Sequence, residues 1–369
     1  MIVLCLALFS TGCVRPIAGV MHPGADKMAI IKSSSRCANV LLKVDELKRT
    51  FCYMSEDESA GCYIISTYNF DGILISEKPF PQFSKWCWID FGYGERFSGS
   101  VSPDCSSVAY LDIKDPWDNK EKDLCYFNAN TGIRKILVKN LTRKANDISV
   151  LCWISDKEVM VAVDAYDDFT NKPAPRLLLI DIEKPTISVD MHCGSLRNSQ
   201  FAVSHSKRYL AYWEGMGRYS SHGSFHILDL LEHKEVAMTE PGEPATFGGP
   251  KWNQEDDALS YIMDNNLTTF SIASKQTTVL KSFANKYDVT LQDYHGQRIY
   301  YRITPKDTFD PQSSYVYFDL NTKHEIDIPY QPDQYLRQPF SNRRERNLDF
   351  FVCSDGSIIY YIIGQHQLH

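Results

Sequence analysis

From about residue 37 to the last residue, short apolar runs alternate with polar turns, and within each run the side chains alternate with a period of two. That pattern predicts β-strands rather than helices. The clearest unit opens on Ser102-Pro103-Asp104-Cys105 and continues through strands at 108–111 and 124–127. It then turns at Asn130-Thr131-Gly132 and ends in a strand at 133–138. Four strands joined by three turns make one sheet that cannot cover both its faces alone, so the same phrase is expected to recur.

It does recur. Turns after an innermost strand fall at Pro103, Ile154, Ser204 and Asn253, spacings of 51, 50 and 49 residues. Second strands follow at 159–163, 209–213 and 258–263, third strands at 176–181, 224–228 and 268–272, and fourth strands at 186–190, 235–239 and 277–281. Weaker copies lie at 49–76 and 289–328, and a partial one at 349–353 and 358–363. A period near 50 residues with four strands per unit is the signature of a propeller blade. The expectation is therefore an all-β fold, a β-propeller of four-stranded blades, with seven blades and six as the alternative. One domain spans 28–369, and the strand near Met28–Lys32 completes the last blade. Such closure removes unpaired sheet edges.

The segment Ser102-Pro103-Asp104-Cys105-Ser106-Ser107-Val108-Ala109-Tyr110 resembles the "SPDG…lay" phrase of TolB-type propeller repeats, which also occur in the propeller domains of prolyl peptidases. Asp355-Gly356-Ser357-Ile358-Ile359-Tyr360 resembles its second half. The resemblance covers roughly 37–369 and implies the fold. It leaves function open, because such propellers serve as docking scaffolds, peptidase gates and lyases. The repeats reach the end of the chain, so no peptidase domain is expected beside them.

Residues 2–9 form an apolar run too short to cross a bilayer but of signal-peptide length. Ser10-Thr11-Gly12-Cys13 resembles the lipobox of bacterial lipoproteins, which implies a signal at 1–13 and lipidation at Cys13; an ordinary cleaved signal is the alternative. Pro16, Gly19, Pro23 and Gly24 predict a flexible linker over 14–27. Localisation is then periplasm or outer membrane, otherwise secreted. After Cys13 an odd set of nine cysteines remains, namely Cys37, Cys52, Cys62, Cys87, Cys105, Cys125, Cys152, Cys193 and Cys353, so they cannot all pair within the chain. Cys52 and Cys62 flank one turn and are the candidate bridge. Those in apolar strands are read as buried thiols.

A net charge of -7 disfavours nucleic acid as a partner. No cysteine or histidine spacing fits a zinc site, and no cofactor or metal is expected. His205 and His295 are assigned to structural turns, and Ser102 and Ser204 lack a nearby base. Chemistry is expected instead on the long connections between second and third strands, at 112–119, 164–171, 214–222 and 302–312. The candidate ligand-binding residues there are Asp115, Trp117, Asp118, Tyr166, Asp167, Asp168, Trp213, Tyr219 and Arg302. Aromatic faces would stack on a sugar ring or a peptide side chain. The expected function is a non-catalytic, monomeric envelope protein that docks a protein or glycan, touching the membrane only through a lipid anchor. The alternative is a polysaccharide hydrolase or lyase using the loop carboxylates, which requires two of them within about 5–10 Å.

Overall fold

The structure, a computed structural model, describes residues 15–23, 29–33, 40–57, 62–81, 101–102, 104–112, 122–142, 148–167, 172–192, 201–215, 222–244, 249–306, 313–328, 347–353 and 355–363. The chain begins with β1 (Arg15–Met21) and β2 (Ala29–Ser33). A first sheet holds β3 (Val40–Asp45), β4 (Thr50–Asp57), β5 (Cys62–Asn69) and β6 (Leu74–Pro81), and a second holds β7 (Ser107–Asp112), β8 (Lys122–Asn128) and β9 (Arg134–Thr142). The third contains β10 (Ile148–Trp153), β11 (Glu158–Asp167), β12 (Lys172–Asp181) and β13 (Ile187–His192). The fourth contains β14 (Phe201–Val203), β15 (Tyr209–Gly215), β16 (Gly223–Asp229) and β17 (Lys234–Met238). The fifth contains β18 (Lys251–Trp252), β19 (Ala258–Met263), β20 (Asn266–Ser271) and β21 (Gln276–Ser282). The sixth contains β22 (Tyr287–His295), β23 (Arg298–Pro305), β24 (Ser314–Asp319) and β25 (His324–Asp327). Last come β26 (Asn347–Val352) and β27 (Ile358–Ile363).

Each sheet is an antiparallel meander in chain order, except the closing one, whose order is β2-β1-β27-β26. That sheet joins the two ends of the chain. Six sheets have four strands and the second has three, with Val101 bridging Val108 where an innermost strand would stand.

Apolar clusters lie between successive sheets, which is why inner strands such as β19 and β16 bury side chains on both faces, while the outermost strands β21 and β25 stay largely exposed. Ile65 and Phe80 of the first sheet meet Val108, Tyr110 and Cys125 of the second. Leu124 and Tyr126 meet Val159, Leu178 and Ile180. Met160, Leu177 and Leu179 meet Leu210, Tyr212 and Leu228, and Ala211, Phe225 and Ile227 meet Leu259, Tyr261 and Phe270. Ile262 and Leu267 meet Leu291, Tyr301 and Val316. Val20, Cys353 and Ile359 of the closing sheet meet Phe51, Tyr53, Tyr68 and Phe70 of the first. Each such side chain contributes about 1.5–3 kcal/mol on burial.

Two recurrent hydrogen-bond devices fix the turns. The side-chain oxygens of Ser102, Ser204 and Asn253 accept the backbone N–H groups of Ser107, Tyr209 and Ala258 at 2.9, 3.0 and 2.9 Å. These three residues are therefore equivalent, and the repeat is anchored on Ser102 rather than on the neighbouring Pro103. The second device ties two turns of one sheet together. Phe70, Ala129, Ile182, Leu230, Ile272 and Leu320 donate their N–H groups to the carbonyls of Arg49, Ser106, Lys157, Arg208, Asp257 and Gln297 at 2.7–3.0 Å. Just before these donors, Asn128, Asp181, Asp229 and Asp319 cap the next turn through their side-chain oxygens.

The amino-terminal segment differs from its expectation. Residues 14–27 were predicted as linker, but 15–21 form β1, hydrogen-bonded to β2 on one side and to β27 on the other. Pairing on both edges outweighs the local cost of Pro16 and Gly19, and the register shifts between Pro16 and Ala18. Consequently the amino-terminal region supplies two strands to the last sheet, not one; β2 lies outermost and β1 directly beside β27. Cys52 is a free thiol facing Thr67, with Sγ 3.5 Å from its Oγ1, whereas Cys62 pairs in register with Asp57. The expected bridge between Cys52 and Cys62 is thus absent, since they occupy separate rungs of the β4–β5 ladder. Cys105, Cys125 and Cys353 are buried free thiols, as read from their apolar settings. Cys13 lies outside the described residues.

Candidate functional site

An antiparallel meander places its first and third turns at one end of the sheet and its second turn at the other, together with the crossing to the next sheet. The first end is occupied by the capped turns above. Its polar side chains are committed to backbone groups. Asp104 accepts from Ser102 Oγ, Ser106 Oγ and the Ser106 N–H, and Asp256 accepts the N–H groups of His205 and Ser206 at 2.7 Å each, from the neighbouring sheet. His205 and His295 sit in or beside such turns, the first with Nε2 3.3 Å from the Trp252 carbonyl, the second with Nδ1 3.0 Å from Gln254 Nε2.

The described candidate residues lie on strands that lead toward the opposite end. Asp115, Trp117, Asp118, Asp168 and Tyr219 lie outside the described residues. Tyr166 and Asp167 belong to β11, in register with Pro173 and Lys172 of β12, so 164–167, the first half of the expected loop at 164–171, is hairpin ladder. Trp213 is also a strand residue, opposite Phe225, and it packs against the cluster between the fourth and fifth sheets. Its indole Nε1 is buried with no hydrogen-bond partner. The ring is half-buried at the edge of that cluster. Arg302 lies within β23 opposite Thr290, its Nη2 3.5 Å from Thr290 Oγ1. The described candidates thus stand on the third, fourth and sixth sheets.

A group outside the candidate residues is assembled on the fourth sheet. His226 is the one residue of β16 that is not buried. Its ring stacks on Tyr212 of β15, centroids 5.4 Å apart at 21°. Its Nδ1 lies 2.7 Å from Glu235 Oε2 of β17, and its Nε2 lies 3.5 Å from Glu214 Oε2 of β15. The histidine side chain is 17% exposed and the two carboxylates 38% and 46%. Its carboxylate partners are nine and twelve positions away in the sequence, in opposite directions.

Close approach of glycine backbones holds this corner. Gly223 and Gly242 exchange two backbone hydrogen bonds at 2.8 and 2.9 Å, tying the end of the β15–β16 hairpin to the crossing toward the fifth sheet. A Cβ on Gly223 would stand 2.0 Å from the Glu214 carbonyl oxygen.

Elsewhere, titratable groups join sheets. Arg49 of the first sheet pairs with Asp355 of the closing one and lies 3.4 Å from His22 Nδ1, just after β1. Tyr301 and Lys281 both bond Glu325, across the fifth and sixth sheets. Burial pushes the Tyr301 phenol well up, and its hydrogen bond to Glu325 adds to that. Asp293 accepts the Val352 N–H at 3.0 Å. Burial pushes its carboxyl up, against the hydrogen bonds from Val352 and Tyr294 and the charge of Lys251. Among the described residues no helix is long and apolar enough to cross a membrane, and no three metal-ligating side chains come together.

The sheet order and radial packing define a β-propeller. No family model and no curated protein matches the chain. Among solved structures it is similar to the β-propeller domain of the Trilobed protease from Pyrococcus furiosus, at 11% identity and a TM-score of 0.47, over 80% of this chain and 84% of that one. It is also similar to the tricorn protease, at 11% identity and 0.49, over 91% of this chain but 36% of that one. A third likeness is to an acylaminoacyl peptidase of Pyrococcus horikoshii, at 10% identity and 0.41, over 73% of this chain and 43% of that one. The assignment of the fold rests on the sheets themselves.

Proposed function

We propose that the protein is a non-catalytic β-propeller of seven blades, the three-stranded sheet being the second of them, that docks a protein or glycan in the cell envelope. One observation carries this reading. At the end of the sheets that bears the capped turns, the serines and carboxylates that suggest chemistry are committed to backbone N–H groups, so they serve architecture. Recognition is assigned to the connections at 112–119 and 164–171, whose sequences carry Asp115, Trp117, Asp118 and Asp168. Export through the segment 1–13, with a lipid on Cys13, places them at the envelope. In this reading the protein acts as a monomer.

The test is binding of the purified protein to envelope extract treated beforehand with protease or with periodate. Replacement of residues 113–120 by a Gly-Ser linker serves as the comparison. Loss of binding after one treatment, and with the replaced connection, is the expected result. Release of new reducing ends from envelope polysaccharide would instead establish the hydrolase reading. Intact mass of the membrane-extracted protein checks the lipid, whose absence removes the anchor.

A further inference from the structure

We propose that the end of the sheets carrying the second turns and the crossings lies against the surface of a lipid bilayer, held there by the lipid on Cys13. This rests on the lipidated reading of Cys13 given above and goes beyond it by fixing which face of the propeller meets the membrane. The argument starts from the direction of β1. Ala18 pairs with Tyr361 and Met21 with Ile358, so β1 runs antiparallel to β27 and ends where β27 begins, at the capped turn between β26 and β27. His22, the next residue, marks that end, with Nδ1 3.3 Å from Ser357 Oγ and 3.4 Å from Arg49 Nη2 in the first turn of the neighbouring sheet. Arg15 therefore stands at the other end, opposite Ser33 of β2, from which the chain crosses to the first sheet. Six steps of strand at about 3.3 Å each separate it from the capped turns by roughly 20 Å.

A linker over 14–27 would let the propeller take any attitude to the membrane. The structure instead leaves only Val14 between Cys13 and the start of β1. Two steps of chain span at most about 7 Å, and pairing with both β2 and β27 makes β1 part of the sheet from there on. An acyl group embedded in hydrocarbon thus holds Arg15, and the end of the closing sheet with it, at the head groups. The sixth sheet stands beside the closing one through the Asp293–Val352 contact, and its residues at this end suit an anionic surface. Lys286 and Lys306 stand together where β22 starts and β23 finishes, the Lys306 N–H donating to the Lys286 carbonyl at 2.8 Å. Lys286 is exposed, with its ammonium 5.1 Å from the centre of the Tyr287 ring. Lys306 Nζ lies 3.2 Å from Asp288 Oδ1. Basic side chains close to anionic lipid are attracted to it. The β7–β8 and β11–β12 connections leave from this same end, at Asp112 and Asp167, so what they dock is held at the membrane surface.

The experiment is lysine footprinting of the lipidated full chain in vesicles of phosphatidylethanolamine and phosphatidylglycerol, with a membrane-impermeant succinimidyl ester and peptide mass readout. Intact mass is measured first, and a chain without the lipid adduct overturns the anchor reading together with this proposal. With the lipid present, Lys286 and Lys306 are expected to react about threefold or more slowly than in the Cys13→Ser chain free in solution. Lys207, Lys275 and Lys323, exposed in the capped turns, should keep their rates. Equal rates at both ends, or protection of the capped-turn lysines, overturn the orientation alone and leave the lipid in place. A second variant inserts about twelve Gly and Ser residues between Val14 and Arg15, a span of roughly 20 Å. Protection of Lys286 and Lys306 should then be lost, and its persistence would mean that the short tether does not set the attitude, which also overturns the proposal.

Discussion

Asp293 accepts the backbone N–H of Val352 at 3.0 Å, a contact between residues 59 positions apart that links the sixth sheet to the sheet made from both chain ends. A register shift between Leu291 and Asp293 in β22 presents that carboxyl to the innermost strand of its neighbour. The ring of sheets is thus joined at its last interface by a side chain that costs desolvation to ionise.

That cost has a direction in pH. Because burial raises the folded-state pKa of Asp293 above its unfolded value, the native state holds more protons than the unfolded one. Stability from this group therefore falls as pH rises from the usual carboxylate range through the folded pKa. Asn keeps an oxygen for the Val352 N–H and has no charge to bury. Asp293→Asn is expected to be more stable than wild type at pH 7, with the difference shrinking below pH 4, as read by urea denaturation.

Asp256 behaves oppositely. Burial works against its ionisation, but the hydrogen bonds from Ser206 and His205 outweigh it and hold the carboxyl below its ordinary range. Its contribution is present above the unfolded pKa and is lost as pH falls through the folded one. Asp256→Ala leaves two N–H groups of the preceding sheet uncapped and should cost roughly 2–4 kcal/mol at pH 7. The deficit relative to wild type should narrow at low pH, in denaturation curves taken from pH 7 to 3.

Lys207 occupies the left-handed region with φ of 65°, and Cys105 and Asp256 do so with φ of 56° and 57° at the equivalent turns. Gly356 holds this conformation without a side-chain penalty, with φ of 81°. Left-handed backbone costs a non-glycine residue about 1–2 kcal/mol, partly offset by the greater freedom of glycine when unfolded. Lys207 is exposed, so Lys207→Gly is expected to stabilise by about 0.5–1 kcal/mol. An unchanged or lower midpoint in chemical denaturation would contradict it.

Gly223 leaves no room for a side chain, and a Cβ there must displace the backbone of Glu214. Gly223→Ala should cost roughly 2–3 kcal/mol, in the range of overpacked sites. Gly132→Ala is the instructive comparison, since nothing lies within 4 Å of its Cβ position but its φ is +69°. It should cost only about 1–2 kcal/mol, from backbone strain alone. Thermal melts of the two variants distinguish contact from strain.

Removal of residues 1–33 takes away β1 and β2 and exposes the edge of β27. Unpaired edges invite association. The truncated chain is expected to elute as larger species than the full chain on size-exclusion chromatography under the same conditions.

The alternation of apolar and polar residues, the recurrence near 50 residues and the turn chemistry were legible in the chain because each acts over a few neighbouring residues. Strands 258–263 and 358–363 coincide with β19 and β27, and Ser204 and Asn253 mark equivalent turns through hydrogen bonds five positions long, while the first such turn is anchored on Ser102, one residue before Pro103. Tertiary structure decided the rest. Pro16 and Gly19 argue locally against a strand, and only β27, more than 300 residues away, makes β1 one. Trp213 reads as a binding aromatic, and only the packing of the fourth sheet on the fifth half-buries it beside their shared cluster. His226 acquires meaning from Glu214 and Glu235 only once three strands are in register. Local propensity and turn bonding are short-range energies that one segment can express alone, whereas sheet extension, closure and side-chain convergence depend on partners that folding brings from elsewhere in the chain.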